Sequence, residues 1–342
     1  MRILYGVQAT GNGHISRARA LVAPLHAAGA QVDFVFSGRS REALFAMEPF
    51  ANFQLFRGLS FVTCAGKMQW LATWRQLDFR QLFRDISALD TTGYDLVLTD
   101  FEPVTAWAAH RQGTPCIGIG HQYAFLQPIP TQHVTPWHQL LFRWFAPAKQ
   151  SLGLHWHHFD SQLAPPLLHI DDTGGHVNPN QVLVYLPFES LETLLAWLKP
   201  LQHIQFCVFH PTIKVAQQHG HISCRPPDLE HFKLAFASSS AVLANAGFEL
   251  ISEALQQQKR ILVKPLQGQP EQASNAKALA QLQYADTCKT INSHRIAHWF
   301  EHYQPAKQVH FANVAQAMPH LLRYQLTHQQ WPQAQLKALW GA

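Results

Sequence analysis

The chain has 342 residues, of which 47% are hydrophobic and only 14% charged, with a net charge of +5. That length fits two domains of ordinary size with sizeable cores, and the low charge leaves Gln, His, Ser, Thr and Asn to supply most of the polar surface. No Lys/Arg run or interleaved aromatic-basic stripe appears, which argues against nucleic acid as a partner, and no apolar run approaches the ~18 residues of a membrane span. Five cysteines (Cys64, Cys116, Cys207, Cys224, Cys288) are scattered without a Cys-x-x-Cys pair. Their odd count and spacing predict reduced thiols in a cytoplasmic protein. The N-terminus enters a strand at once, without a signal-peptide pattern.

The first half alternates strands and helices. Ile3–Val7 reads as an apolar strand, Ala9–Ser16 as a Gly-rich loop, and Arg17–Ala28 as a helix ended by Gly29. Gln31–Ser37 is a second strand and Ser40–Met47 a helix stopped by Pro49. Phe53–Phe61 is strand-like, and Trp70–Leu89 has helical spacing. Tyr94–Thr99 is a buried strand closed by Asp100, Pro103–Arg111 a helix, and Cys116–Gly120 a strand followed by His121. His155–Asp160 reads as one more strand. Such alternation predicts a parallel sheet covered on both faces. A polar, Gly- and Pro-containing stretch at 171–180 reads as a linker, after which the alternation begins again. Three units are expected: residues 1–172, residues 181–325, and a tail at 326–342 that packs back on the first unit.

The most informative stretch runs from Asn245 to Ala276. It reads as a turn at Gly247, a helix, the buried strand Ile261–Leu266, a polar loop and a second helix. Gly247 permits close backbone approach. The helix behind it aims free N–H groups and a positive dipole end at the turn, which suits a phosphate. Glu249 and Glu253 share a helix face. The loop Gln267–Gln272 offers amides and one carboxylate at the C-terminal end of a strand, where open α/β sheets place ligands. Together these features describe a pocket for a nucleotide-sugar.

Two segments carry a family resemblance: Tyr5-Gly-Val-Gln-Ala-Thr-Gly-Asn-Gly-His-Ile-Ser-Arg-Ala, and the Asn245–Ala276 block. On these the chain resembles glycosyltransferases of the GT-B architecture, with two facing Rossmann-like domains and an active site in the cleft. It is most similar to a bacterial and archaeal branch related to the peptidoglycan N-acetylglucosaminyl transferase, and the UDP-glycosyltransferases of small molecules share the plan. The resemblance implies inverting transfer from a nucleotide-sugar co-substrate, UDP-sugar being the commonest, with no metal required. Gly247 and Phe248 would underlie the donor diphosphate and Glu253 would hold the ribose, with Glu249 one turn before it. Glu271 and Gln272 would hold the transferred sugar, with Gln269 beside them and Asn275 capping the following turn. Many relatives carry a histidine before the glycine, where this chain has Asn245-Ala246; Ser238, Ser239 and Ser240 could supply hydroxyls instead. On the acceptor side, Gly11, Asn12 and Gly13 form a row of N–H groups with His14 at its mouth. His14 is the expected base, a role its ordinary titration range suits. Asp100 is the expected orienter, Glu102 a second candidate, and His121 faces the same sheet edge.

Other readings compete. Gly11-x-Gly13 is also a truncated dinucleotide fingerprint, with Ser16 in place of its third glycine. The absence of an acidic residue after the second strand argues against NAD but leaves NADP open, through Arg39. His155 and His157 would share a strand face, yet no cysteine or carboxylate cluster joins them as in a metal site. A nucleotide-sugar 2-epimerase and a non-catalytic nucleotide-sugar-binding protein remain as alternatives. The acceptor, small or lipid-linked, is expected to meet the loops Gly58–Gln76 and His121–Trp137. The apolar stretch Trp137–Lys149 is either a core helix or a peripheral membrane contact.

Overall fold

The computed structural model describes residues 1–44, 46–59, 78–168, 176–304 and 308–341, and the backbone of 63–64 and 67–68. Most of the loop expected at Gly58–Gln76, the beginning of the helix expected at Trp70–Leu89 and most of the linker before 176 lie outside the described residues.

Two seven-stranded sheets form the molecule. The first joins β1 (Arg2–Gln8), β2 (Gln31–Ser37), β3 (Phe53–Phe56), β6 (Leu96–Asp100), β7 (Cys116–Gly120), β8 (Gln150–Leu154) and β9 (Leu163–Ala164) in the order β3-β2-β1-β6-β7-β8-β9. A separate short antiparallel pair is formed by β4 (Thr63–Cys64) and β5 (Lys67–Met68). The second sheet joins β10 (Asn178–Tyr185), β11 (Gln205–Phe209), β12 (Gln217–His219), β13 (Ile222–Arg225), β14 (Ser239–Ala244), β15 (Arg260–Val263) and β16 (Asp286–Thr287) in the order β12-β13-β11-β10-β14-β15-β16. All pairings in the two large sheets are parallel except β12 with β13. The central strands are near-continuous apolar runs because helices cover both faces. Every residue of β6 is buried, as is every residue of β1 after Arg2.

Among the described residues the helices are α1 (Asn12–Ala27), α2 (Phe79–Ala88), α3 (Pro103–Gln112), α4 (His121–Ala124), α5 (Pro136–Trp144) and α6 (Leu191–Leu198), then α7 (Leu229–Ser238), α8 (Phe248–Gln256), α9 (Pro270–Leu282), α10 (Ser293–His302), α11 (Val314–His328) and α12 (Gln333–Ala338). One apolar core runs from the first sheet through Trp156 and Phe248 into the second. Trp156, 1% exposed, donates its indole N–H to Ser252 Oγ at 2.7 Å. The last two helices return to the first half. Arg323 Nη2 donates to Ala28 O (2.8 Å), Trp331 Nε1 to Ser151 O (3.1 Å) and Trp340 Nε1 to Leu163 O (3.0 Å).

Three local expectations change. The helix expected at Ser40–Met47 shrinks to a 3-10 turn at Arg41–Ala43; Ala46 lies in the left-handed region (φ 51°), which helical residues cannot occupy. The strand expected at His155–Asp160 is a turn, and the strand lies just before it, at β8. Histidine side chains make that turn, because Nδ1 of His155, His157 and His158 accepts from the backbone N–H of Trp156, Phe159 and Asp160 at 2.8, 3.0 and 2.9 Å. These bonds compete with a sheet ladder, and His155 and His157 therefore share no strand face. Finally, α1 begins at Asn12 rather than Arg17, so Asn12, Gly13 and His14 belong to its first turn.

Gly6, inside β1, has a steric cause. A Cβ there would fall 1.9 Å from Thr105 Oγ1 and 2.9 Å from Glu102 Oε2, at the capped start of α3. Gly6→Ala should therefore destabilise the protein by about 1–3 kcal/mol in urea denaturation, as overpacking does; an unchanged midpoint would show that the cap can move aside.

Candidate active site

Parallel register places the first half of the site. Val7 pairs with Asp100, so the C-terminal ends of β1 and β6 lie side by side. The chain leaving β1 enters α1 through Gly11, its N-cap residue, which provides no side-chain cap. The first-turn N–H groups are thus open at the cleft, as anion sites require. His14 Nδ1 lies 2.8 Å from Asp100 Oδ1. Asp100 is fully buried and also accepts from Arg17 Nε at Oδ2 (2.7 Å) and from Arg17 Nη2 at Oδ1 (2.6 Å). Burial alone would raise the Asp100 carboxyl, but Arg17 and His14 outweigh it and hold it below the usual carboxylate range.

Glu102 plays a different part. Its carboxylate accepts from Val104 N, Thr105 N, Thr105 Oγ1 and Ser37 Oγ at 2.6–2.8 Å, which makes it the N-cap of α3. It is consumed there and does not orient His14. Arg39 is likewise occupied. It donates to Asn12 Oδ1 (2.8 Å) and Thr10 O (3.0 Å), bracing the glycine turn instead of presenting a free guanidinium to a 2′-phosphate.

The second half is built the same way. Between β14 and α8 stand Asn245, Ala246 and Gly247, and Gly247 caps α8 without a side chain. A Cβ on Gly247 would meet nothing within 4 Å, so the space before the helix is open. Asn245 Nδ2 donates to Lys264 O (2.8 Å), tying the β14 and β15 exits together, while its Oδ1 is buried with no partner among the described residues. Gln272 Oε1 accepts from Leu266 N (2.8 Å), and Asn275 Nδ2 donates to Ala246 O (3.0 Å). These amides shape the connecting loops.

The two halves meet through polar contacts across the cleft. Arg17 Nη1 donates to Glu249. Ser16 Oγ lies 3.4 Å from Glu253 Oε1, and Gln122 Nε2 lies 3.3 and 3.4 Å from the Glu271 oxygens. His121 stacks on Phe248 at 4.0 Å and 6° between planes. Its Nδ1 is 2.9 Å from Leu154 O and its Nε2 2.7 Å from Asn275 Oδ1, so neither ring nitrogen is free to take a proton from a ligand. Burial lowers its pKa, against the opposing pull of Glu271 and these bonds.

A cleft of about 630 Å³ results, within the size range of small-ligand sites. Of the residues expected from sequence, Gly11, Asn12, Gly13, His14 and His121 line it on one side. Asn245, Gly247, Phe248, Glu249, Glu253, Gln269, Glu271 and Gln272 line it on the other. Asp100 and Asn275 stand behind that lining. Sequence reasoning missed Arg17, Ser16 and Gln122, although Arg17 lies three positions after His14 on one helix and so on its face. It also missed Phe101 and Leu168, which join Leu141, Phe142 and Phe145 of the stretch expected at 137–149 in an apolar wall.

The model of glycosyl transferase family 1 matches residues 1–143 and 152–303. No curated protein matches the chain. Among solved structures, MurG of Acinetobacter baumannii is similar at 16% identity and TM-score 0.57, over 94% of this chain and 99% of that one. UGT89C1 of Arabidopsis thaliana, complexed with UDP, is similar at 12% identity and TM-score 0.61, over 99% and 98%. The Streptomyces glycosyltransferase SsfS6, complexed with thymidine diphosphate, is similar at 13% identity and TM-score 0.58, over 94% and 99%. Identities this low establish a shared fold: two facing, mostly parallel sheets in the GT-B arrangement. The family match covers both halves and most of the sequence, and the chain therefore belongs to glycosyl transferase family 1 and is a glycosyltransferase.

Proposed function

We propose that the protein transfers a sugar from a UDP-sugar to an acceptor hydroxyl with inversion, using His14 as general base. The observation that carries this reading is the His14–Asp100 contact of 2.8 Å at the mouth of a cleft whose far side holds the uncapped start of α8. With Nδ1–H donating to Asp100, His14 Nε2 is the unprotonated nitrogen. It takes the acceptor's hydroxyl proton as that oxygen bonds to the anomeric carbon. The carbon–oxygen bond to the diphosphate breaks on the opposite face, and the nucleoside diphosphate leaves with the electron pair. Open N–H groups of α8 stabilise the leaving charge. Glu253 is assigned to the ribose hydroxyls, and Glu271 with Gln272 and Gln269 to the sugar. The UDP and thymidine diphosphate bound to the similar structures make these the first nucleotides to test.

For the acceptor we favour a lipid-linked molecule over a small soluble one. On α5, Trp137, Leu140, Leu141 and Trp144 are exposed, Trp137 by 78%, with the exposed Arg143 among them. Leu141 belongs both to this surface and to the cleft. Trp107 of α3 stacks on Trp144 at 6.2 Å, and α3 packs beside α2, which exposes Phe79 and Phe83 with Arg80 and Arg84. An apolar face fringed with cations suits the surface of an anionic bilayer. None of the helices described is long and apolar enough to cross a membrane. The contact proposed is therefore peripheral, through residues 137–149.

Titration with UDP, TDP and GDP should show binding of at least one, and binding of none would sink the reading. His14→Ala should abolish donor turnover while leaving nucleotide affinity near wild type; turnover retained in that variant would remove His14 from the base role. Turnover of the sugar without transfer, or binding without turnover, would favour the epimerase or the non-catalytic alternative. Glu253→Ala should weaken UDP binding by roughly 1.5–3 kcal/mol, the worth of a charged hydrogen bond, and equal affinity would refute its placement on the ribose. In sedimentation with anionic phospholipid vesicles, the wild type should bind and the Trp137→Ser/Trp144→Ser double variant should be largely lost from the pellet. Equal sedimentation of the two would refute the membrane face.

A further inference from the structure

Arg17 is a buried cation shared by the two sides of the cleft. Its side chain is 2% exposed, against 0% for Asp100 and 11% for Glu249. Nε and Nη2 grip both oxygens of Asp100 from within the first half, and Nη1 donates to Glu249 on the first turn of α8, in the second. The approach of the two helices is close: a Cβ on Gly13 would lie 2.7 Å from Glu249 Cγ. Glu249 left alone would place a negative charge where a diphosphate has to bind. Its contact with Arg17 offsets part of that charge, since the same guanidinium also serves Asp100.

The same guanidinium faces His14. Arg17 Nη2 lies 3.0 Å from His14 Nδ1, and both nitrogens point at Asp100 Oδ1. Nη2 carries two N–H groups: with one on Asp100 Oδ1 and the other turned away from the ring, Nδ1 keeps its proton and donates to the same oxygen, leaving Nε2 with the lone pair. If the guanidinium tilts, the second N–H of Nη2 can be aimed at Nδ1 and donate to it. The ring proton then sits on Nε2, which can no longer accept one from a substrate. Because the guanidinium is a rigid planar fork, the grip of Glu249 on Nη1 fixes the plane of the other two donors.

We propose that Arg17 is a positioning residue that ties closure of the cleft to the base-competent tautomer of His14, through its simultaneous grip on Asp100 and Glu249. Glu249 is then a latch between the halves and not a donor contact. This inference rests on His14 as the base, but its test does not need turnover. The full chain, labelled with ¹⁵N-histidine and free of nucleotide, is compared with Glu249→Gln, Arg17→Lys and the double variant. His14 signals are identified by their loss in His14→Gln. The wild type should show a protonated Nδ1 and an unprotonated Nε2. Glu249→Gln, at a position not fully buried, should lose that pattern and show a larger radius of gyration by solution X-ray scattering. The double variant should go no further than the more affected single variant. A Glu249→Gln protein with the wild-type His14 nitrogen pattern, or with unchanged scattering, would overturn the proposal. Failure of the base reading would show separately, as His14→Ala retaining donor turnover while the coupling of tautomer to Glu249 persists.

Discussion

Asp100 has no exposed surface, and a carboxylate so placed stays ionised only if something replaces the lost water. Two donors of Arg17 and one of His14 do so. Each is charged or polar and each is fixed by α1, which follows β1 where the end of that strand lies beside the end of β6. Taking one partner from such a buried pair leaves an uncompensated charge, at a cost of about 3–5 kcal/mol. The cluster is therefore a structural necessity for the first half, since the carboxylate that meets the imidazole has to be held itself.

The same logic repeats across the cleft with amides in place of charges. Asn245, Gln272 and Asn275 each spend hydrogen bonds on backbone groups of the loops around Ala246 and Lys264–Leu266. Neutral amides hold these loops without carrying charge into the cleft beside Gly247. The carboxylates Glu249, Glu253 and Glu271 face the cleft, and each lies against a residue of the first half: Arg17, Ser16 and Gln122 respectively. On the reading proposed above, a donor exchanges the contacts of Glu253 and Glu271 for its own hydroxyls, while Glu249 stays on Arg17.

Histidine is abundant in this chain, with 22 residues, and the structure separates their uses. His155, His157 and His158 turn the backbone after β8. His121 fills the contact between the halves, stacked on Phe248 and bonded through both nitrogens. Among the histidines singled out from sequence, His14 is the one that pairs with a buried carboxylate at the cleft. Residue type could not have sorted them, because a histidine that accepts a backbone N–H and one that faces a ligand look the same in a sequence.

The alternation of apolar strands with helices was legible without coordinates, because strands buried on both faces must be continuously apolar and parallel strands need crossover helices. The glycine turns before α1 and α8 were legible too, since only a residue without a side chain leaves the start of a helix open. Thus the sequence by itself determined two parallel α/β halves, each with an anion-ready helix start, and the residue types gathered around them. What it left open was partnership. Whether Asp100 or Glu102 met His14 depended on which carboxylate the start of α3 consumed, and residues two apart in sequence gave no sign of that. Whether Arg17 mattered depended on Glu249, 232 positions away in sequence. Periodicity reports which face of an element is buried, whereas contacts between elements are set by register and packing. Those exist only once the two sheets have come together.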